Sequence, residues 1–94
     1  MDLRDKIFRQ VSKIPKSKTK TYKQIADKLN TSPRAVAKIL STNKHPIQIP
    51  CHRVICSNGK IGGYTYKGKF SPEIKIKLLK KEGFKIKREK IQNF

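Results

Sequence analysis

The chain has 94 residues, enough for one domain with a modest core and too few for two. Hydrophobic residues make up 35% and charged residues 32%, and 24 Lys and Arg against six Asp and Glu leave a formal charge of +18. Such an excess opposes compaction by self-repulsion unless a polyanion relieves it, so the composition points to nucleic acid as the partner.

The low apolar share alone would fit disorder, but the apolar residues fall into periodic clusters, LRDKIFRQV, YKQIADKL and AVAKIL, as a folded chain requires. The opening MDLRDKIF lacks the charged-then-apolar layout of a signal peptide, and no apolar run approaches a membrane span. From there Leu3, Ile7, Phe8, Val11 and Ile14 follow a helical stripe from about Asp2 to Ile14, which Pro15 ends. A basic, flexible connector, PKSKTK, follows. Thr21 stands at an N-cap position with Gln24 three residues on, a capping box for a second helix with Tyr22, Ile25, Ala26 and Leu29 inward. NTSP is turn chemistry, with Ser32 as N-cap and Pro33 at the first position of a third helix. That helix turns Ala35, Val36, Ile39 and Leu40 inward and Arg34, Lys38 and Ser41 outward. Two short helices joined by a tight turn, the second basic outside, read as a helix-turn-helix.

After Asn43 the texture changes. Two prolines in HPIQIPC forbid a helix and place Cys51 in an extended, rigid loop. HRVICSNGKIGGYTYKGKF carries β-branched and aromatic residues around NG and GG, which predicts a hairpin or short strands. Ser71 and Pro72 start a last helix through about Lys81, with Ile74, Leu78 and Leu79 buried and Gly83 as the left-handed residue past its end. FKIKREKIQNF reads as a short strand and a basic tail. The fold class is therefore mostly α with a small β-hairpin, winged helix-turn-helix-like.

Both cysteines lie in IPCHRVICSNG. Only five positions apart, they make a poor disulfide framework, and the reading is an intracellular, cytoplasmic protein with reduced thiols. His45, Cys51, His52 and Cys56 lack the paired-knuckle spacing of zinc sites, so no metal is expected. A packed structural thiol suits Cys56. For Cys51 that reading competes with a nucleophile: a thiol needs a base or a positive field to ionise at neutral pH, and His52 stands next to it. A carboxylate can orient that histidine, and Glu82, beside Gly83, is the best placed of the six acids.

Five ordered segments, TYKQIADKL, SPRAVAKILSTN, IPCHRVI, SNGKIGGYT and LLKKEGF, together resemble the C-terminal catalytic domain of the O6-alkylguanine-DNA alkyltransferases, the methylated-DNA–protein-cysteine methyltransferases. The resemblance spans about Asp2 to Ile86. It implies DNA repair by stoichiometric transfer of the alkyl group from O6-alkylguanine in double-stranded DNA to Cys51, after nucleotide flipping and without a cofactor. It makes His52 the residue that deprotonates Cys51 through a water, and Glu82 the residue that orients His52. Asn43 becomes the hinge, Tyr22 the residue that turns the nucleotide and protonates the leaving guanine, and Arg34 the finger entering the duplex. Thr21, Tyr22, Gln24, Arg34, Ala35, Lys38 and Ser41 would contact DNA, and Leu40, Val54, Tyr64 and Thr65 would form the base pocket. Residues 1–94 are then one catalytic and DNA-binding domain, a monomer, with the helix-turn-helix at about 22–42 and the active-site loop at about 43–56.

The sequence departs from that family in three respects. The additional N-terminal domain of most members is expected to be absent, YTYKGKFSPE is longer than its usual counterpart, and Ser41 and Lys44 stand where some members have arginine and proline. The chief alternative is a non-catalytic alkyltransferase-like protein that binds and flags alkylated DNA; those typically carry tryptophan where Cys51 stands. A plain helix-turn-helix regulator would not explain PCHRVI, and a cysteine hydrolase would not need the charge.

Overall fold

The computed structural model describes residues 2–43, 49–62, 65–66 and 69–92, with only the backbone at 65, 66, 69 and 70. Helix α1, Leu3–Ser12, begins where the Asp2 carboxylate accepts a hydrogen bond from Asp5 N–H at 2.9 Å. Ile7, Val11 and, just past the helix, Ile14 are buried, with Leu3 and Phe8 packed beside them. The helix ends at Ser12 rather than Ile14, because Pro15 disfavours helical geometry for the residue before it.

Helix α2, Tyr22–Lys28, carries the capping box its sequence announces: Gln24 N–H donates to Thr21 Oγ1 at 3.0 Å, and Thr21 N–H donates to Gln24 Oε1 at 2.8 Å. It ends with Asn30 in the left-handed region (φ 56°), Asn30 N–H bonding Asp27 O at 3.4 Å and Thr31 N–H bonding Ala26 O at 2.9 Å. That is a Schellman turn with asparagine in place of glycine. Ser32 then caps helix α3, Pro33–Leu40, by accepting from Ala35 N–H at 3.1 Å. Ile25, Ala26, Val36 and Leu40 join the α1 residues in one core that also takes in Cys51 and Val54. Arg34, Lys38 and Ser41 are exposed on the outer face of α3. The two helices and their turn form the expected helix-turn-helix-like arrangement.

The segment around Cys51 differs from the extended conformation its prolines predict. Pro50 has φ −77° and ψ 65°, and Cys51 N–H bonds Ile49 O across it at 2.7 Å, an inverse γ-turn. A single 3-10 turn, Cys51–Arg53, follows and is closed by Arg53 N–H on Pro50 O at 2.9 Å. Proline fixes φ where this turn needs it, so it compacts the chain here.

Strand β1 (Lys20–Thr21) pairs in parallel with β2 (Val54–Ile55), in the register Lys20↔Val54 and Thr21↔Ile55. The sequence predicts a hairpin or short strands for this segment; β2 is a short strand, and its partner lies more than thirty residues away and leaves no local trace. Strand alternation sends Val54 into the first core and Ile55 into a second one, built from Ile61, Leu79, Phe84 and Ile91. Asn58-Gly59 makes the turn that follows, Gly59 at φ 88° and Cys56 N–H bonding Lys60 O at 2.8 Å. A hairpin does form from β3 (Thr65–Tyr66) and β4 (Lys69–Phe70).

Helix α4, Pro72–Lys81, ends in a second Schellman turn. Gly83 sits at φ 99°, Gly83 N–H bonds Lys80 O at 3.0 Å and Phe84 N–H bonds Leu79 O at 3.1 Å. Of the three residues expected in its core, Leu79 is fully buried while Ile74 and Leu78 are half-buried; the other fully buried position belongs to Lys75. The predicted basic tail is a hairpin of β5 (Ile86–Lys87) and β6 (Lys90–Ile91), turned by Arg88 and Glu89 in left-handed conformation. Ile91 is buried, and its N–H bonds Gly59 O at 2.9 Å, so this hairpin closes the second core.

Candidate functional site

Cys51 opens the 3-10 turn with only 5% of its surface exposed. Asn43, itself buried and held past the end of α3 by its N–H on Leu40 O at 3.0 Å, reaches across to it. Its Nδ2 donates to Ile49 O at 2.9 Å and to Cys51 Sγ at 3.3 Å. One side chain thus ties the end of α3 to the loop that carries Cys51.

His52 is fully buried one residue on, its Nε2 2.7 Å from Glu82 Oε2. Burial raises the pKa of the Glu82 carboxyl, but hydrogen bonds from Arg53, His52 and Ser17 N–H outweigh it and bring it down to about 2. An ionised carboxylate can only accept, so the proton of a neutral imidazole rests on Nε2 and leaves the lone pair on Nδ1. Nδ1 is buried and has no hydrogen-bond partner among the described residues. Burial depresses the His52 pKa below its usual 6.5, against the opposing pull of Glu82, which keeps the ring a base at neutral pH.

Arg53 holds the same carboxylate in a fork. Its Nε lies 2.9 Å from Glu82 Oε1 and its Nη2 3.0 Å from Oε2, while Nη1 donates to Ile14 O at 2.8 Å. Glu82 is therefore shared between a histidine and an arginine. Its position as the C-cap of α4, set by the Gly83 turn, aims it there.

Tyr22, at the start of α2, meets a group that sequence reasoning missed. Lys75 Nζ is buried, donates to Val54 O at 2.7 Å, and lies 3.4 Å from the Tyr22 hydroxyl and 5.6 Å from the ring centre. Desolvation lowers the Lys75 pKa to about 8, although the two cysteines pull it upward. The Tyr22 hydroxyl is pushed well above 10 by burial and then by Cys56 and Cys51, so it keeps its proton. The only sequence signal for Lys75 is a lysine on the inner stripe of a helix, in a chain where lysine is everywhere. Gly62 (φ 73°) backs the same place: a Cβ there would come within 3.3 Å of Cys56 Sγ and 3.4 Å of the Tyr22 ring.

The structure thus brings Asn43, Cys51, His52, Glu82, Val54 and Tyr22 into one neighbourhood, with Leu40 in the adjoining core. Arg34, Ala35, Lys38 and Ser41 lie on α3, and the Ser41 hydroxyl is engaged with Lys38 O at 2.6 Å. Thr21 and Gln24 spend polar atoms on the α2 cap. Tyr64, His45 and Lys44 lie outside the described residues, and Thr65 is described by its place in β3 alone. Among the described residues no helix is long and apolar enough to cross a membrane.

The family model "6-O-methylguanine DNA methyltransferase, DNA binding domain" matches residues 2–84. A protein of Saccharolobus islandicus named methylated-DNA–protein-cysteine methyltransferase is 54% identical over 80 residues, covering 85% of this chain and 50% of its own length. The chain spans about half the length of the curated relatives it matches. The crystal structure of Mycobacterium tuberculosis OGT in complex with DNA superposes with a TM-score of 0.76 at 33% identity, covering 87% of this chain and 50% of that one. Schizosaccharomyces pombe Atl1, in complex with damaged DNA containing O6-carboxymethylguanine, gives 0.76 at 28% identity, covering 93% and 83%.

Proposed function

The chain belongs to the 6-O-methylguanine DNA methyltransferase family by its DNA-binding domain, and on that premise we propose that it repairs O6-alkylguanine in double-stranded DNA by moving the alkyl group, once per molecule, onto its own Cys51. The observation that carries this reading is the pair His52 Nε2–Glu82 Oε2 at 2.7 Å beside a thiol that already receives a hydrogen bond from Asn43. The described domain then contains both the DNA-binding and the reacting parts.

The target group sits on O6 of guanine inside the base stack, so the nucleotide must leave the helix. Arg34, exposed on α3, supports the flipped state by filling the space it leaves, and Lys38 with the rest of that face contacts phosphates. His52 Nδ1 takes the Cys51 proton through a water, with Glu82 stabilising the imidazolium that forms. The thiolate attacks the alkyl carbon: the S–C bond forms, the C–O6 bond breaks, and the electron pair goes to guanine. The Tyr22 hydroxyl supplies a proton to the leaving base. Because the Lys75 ammonium donates toward the Tyr22 oxygen, the hydroxyl hydrogen is directed elsewhere. The products are guanine and a thioether. Among the described residues no group at the site can cleave a thioether, so the protein does not turn over.

A flagging role is the second reading, favoured by the likeness to Atl1 bound to damaged DNA. Cys51, placed with a donor and a base, speaks for transfer. The test is transfer of a labelled methyl group from an O6-methylguanine oligonucleotide to the protein. The repair reading expects label on the wild type and none on Cys51→Ser; tight binding without label would establish the flagging role.

A further inference from the structure

The connector between α1 and β1, a flexible basic link by its sequence, holds one residue in a conformation that needs support. Ser17 lies at φ 67°, the left-handed region that a side chain disfavours. Among the described residues it makes two hydrogen bonds, both to Glu82, 65 residues away. Its N–H donates to Oε1 at 3.1 Å, and its Oγ donates to the Glu82 main-chain carbonyl at 2.6 Å.

The carbonyl is one of those that the end of α4 leaves without an intrahelical donor, so the hydroxyl caps the helix. The N–H grips the opposite end of the same residue. Ser17 therefore holds Glu82 by both its backbone and its carboxylate. The other partners of that carboxylate are Arg53, on both oxygens, and His52, on Oε2. The charged groups acting on His52 are Glu82, Arg53 and Lys75. Among these contacts only Ser17 ties the carboxylate to its own main chain, which fixes the side-chain torsions that decide where Oε2 points.

Resting on the reading that Glu82 orients His52, we infer that Ser17 is a positioning residue for the reaction: its strained, doubly bonded conformation sets the Glu82 carboxylate to receive His52 Nε2. The backbone strain in the connector is the means by which a segment five residues before Tyr22 is locked to the dyad that activates Cys51.

The test compares wild type, Ser17→Ala and Ser17→Asn. Asparagine tolerates the left-handed region and its amide can donate to the Glu82 carbonyl. Two rates are followed against pH: methyl transfer from an O6-methylguanine oligonucleotide, and carboxamidomethylation of Cys51 by iodoacetamide, resolved from Cys56 by peptide mass. Ser17→Ala should react about tenfold more slowly at pH 7 in both assays, since a misdirected base is a weaker one. The deficit should shrink toward alkaline pH, where the thiol ionises without help, and Ser17→Asn should stay within about twofold of wild type. PH profiles of Ser17→Ala that superpose on wild type, even with a lowered melting temperature, would make Ser17 a residue of the fold alone and overturn the inference. Absence of methyl transfer by wild type itself would count against the repair reading instead, and the iodoacetamide profiles still decide the role of Ser17.

Discussion

Lys75 lies wholly inside the protein with its Nζ 3.4 Å from the hydroxyl oxygen of Tyr22, held there by the carbonyl of Val54 at 2.7 Å. A cation in that place is expensive to bury, and its pKa falls to about 8 from 10.5. The unfolded chain therefore binds more protons than the native one between those values, and the Lys75 contribution to stability rises with pH across that window. It is complete above 10.5 and lost as pH falls through 8. The stability of wild type relative to Lys75→Met, followed by urea unfolding at several pH values, should increase from pH 8 to 10.5. A constant difference would show that Lys75 titrates normally.

Glu82→Gln tests the shared carboxylate. With a native pKa of about 2 against 4.5 unfolded, Glu82 contributes stability that is complete above 4.5 and lost as pH falls through 2. Wild type should unfold at higher denaturant than the variant at pH 7, and that advantage should shrink between pH 4.5 and 2. The variant should also transfer methyl groups at least about tenfold more slowly at neutral pH, because a neutral amide cannot stabilise the imidazolium. A pH-independent stability difference would mean that the Arg53 and His52 contacts do not hold the carboxyl ionised.

Arg34→Ala addresses the helix-turn-helix. Arg34 is exposed near the start of α3 and lies apart from the buried dyad. The variant should repair an O6-methylguanine duplex at least about tenfold more slowly, since a flipped nucleotide must be offset by an inserted side chain. Its reaction with free O6-benzylguanine should stay within about twofold of wild type. Equal losses on the two substrates, measured as second-order rate constants, would remove Arg34 from the role of finger.

Much of this could be read from the sequence where the signal is local. The capping box of Thr21 and Gln24, the Ser32-Pro33 start and the Gly83 turn each depend on residues within one helical turn, and all three form as their chemistry dictates. Glu82 draws notice for another reason, since acids are so few that one beside a helix-ending glycine stands out as a partner for His52. What escaped has distant causes. The pairing of Lys20 with Val54, the fork of Arg53 on Glu82 and the grip of Ser17 on the same residue join points 29 to 65 residues apart. Lys75 was hidden by a different effect: burial of a lysine goes against its ordinary preference, and only the Val54 carbonyl and Tyr22 make it tolerable. Pro50 misled by being read as a stiffener of extended chain when its fixed φ also suits an inverse γ-turn.

The central claim is that Cys51 takes the alkyl group and keeps it. The most direct measurement is intact mass, followed by peptide mapping, after the protein meets an excess of O6-methylguanine duplex. The account predicts one added methyl per molecule, located on the Cys51 peptide, with guanine restored in an equal amount of DNA and no further repair. An unmodified protein, a methyl on Cys56 in its place, or repair beyond one lesion per molecule would contradict it.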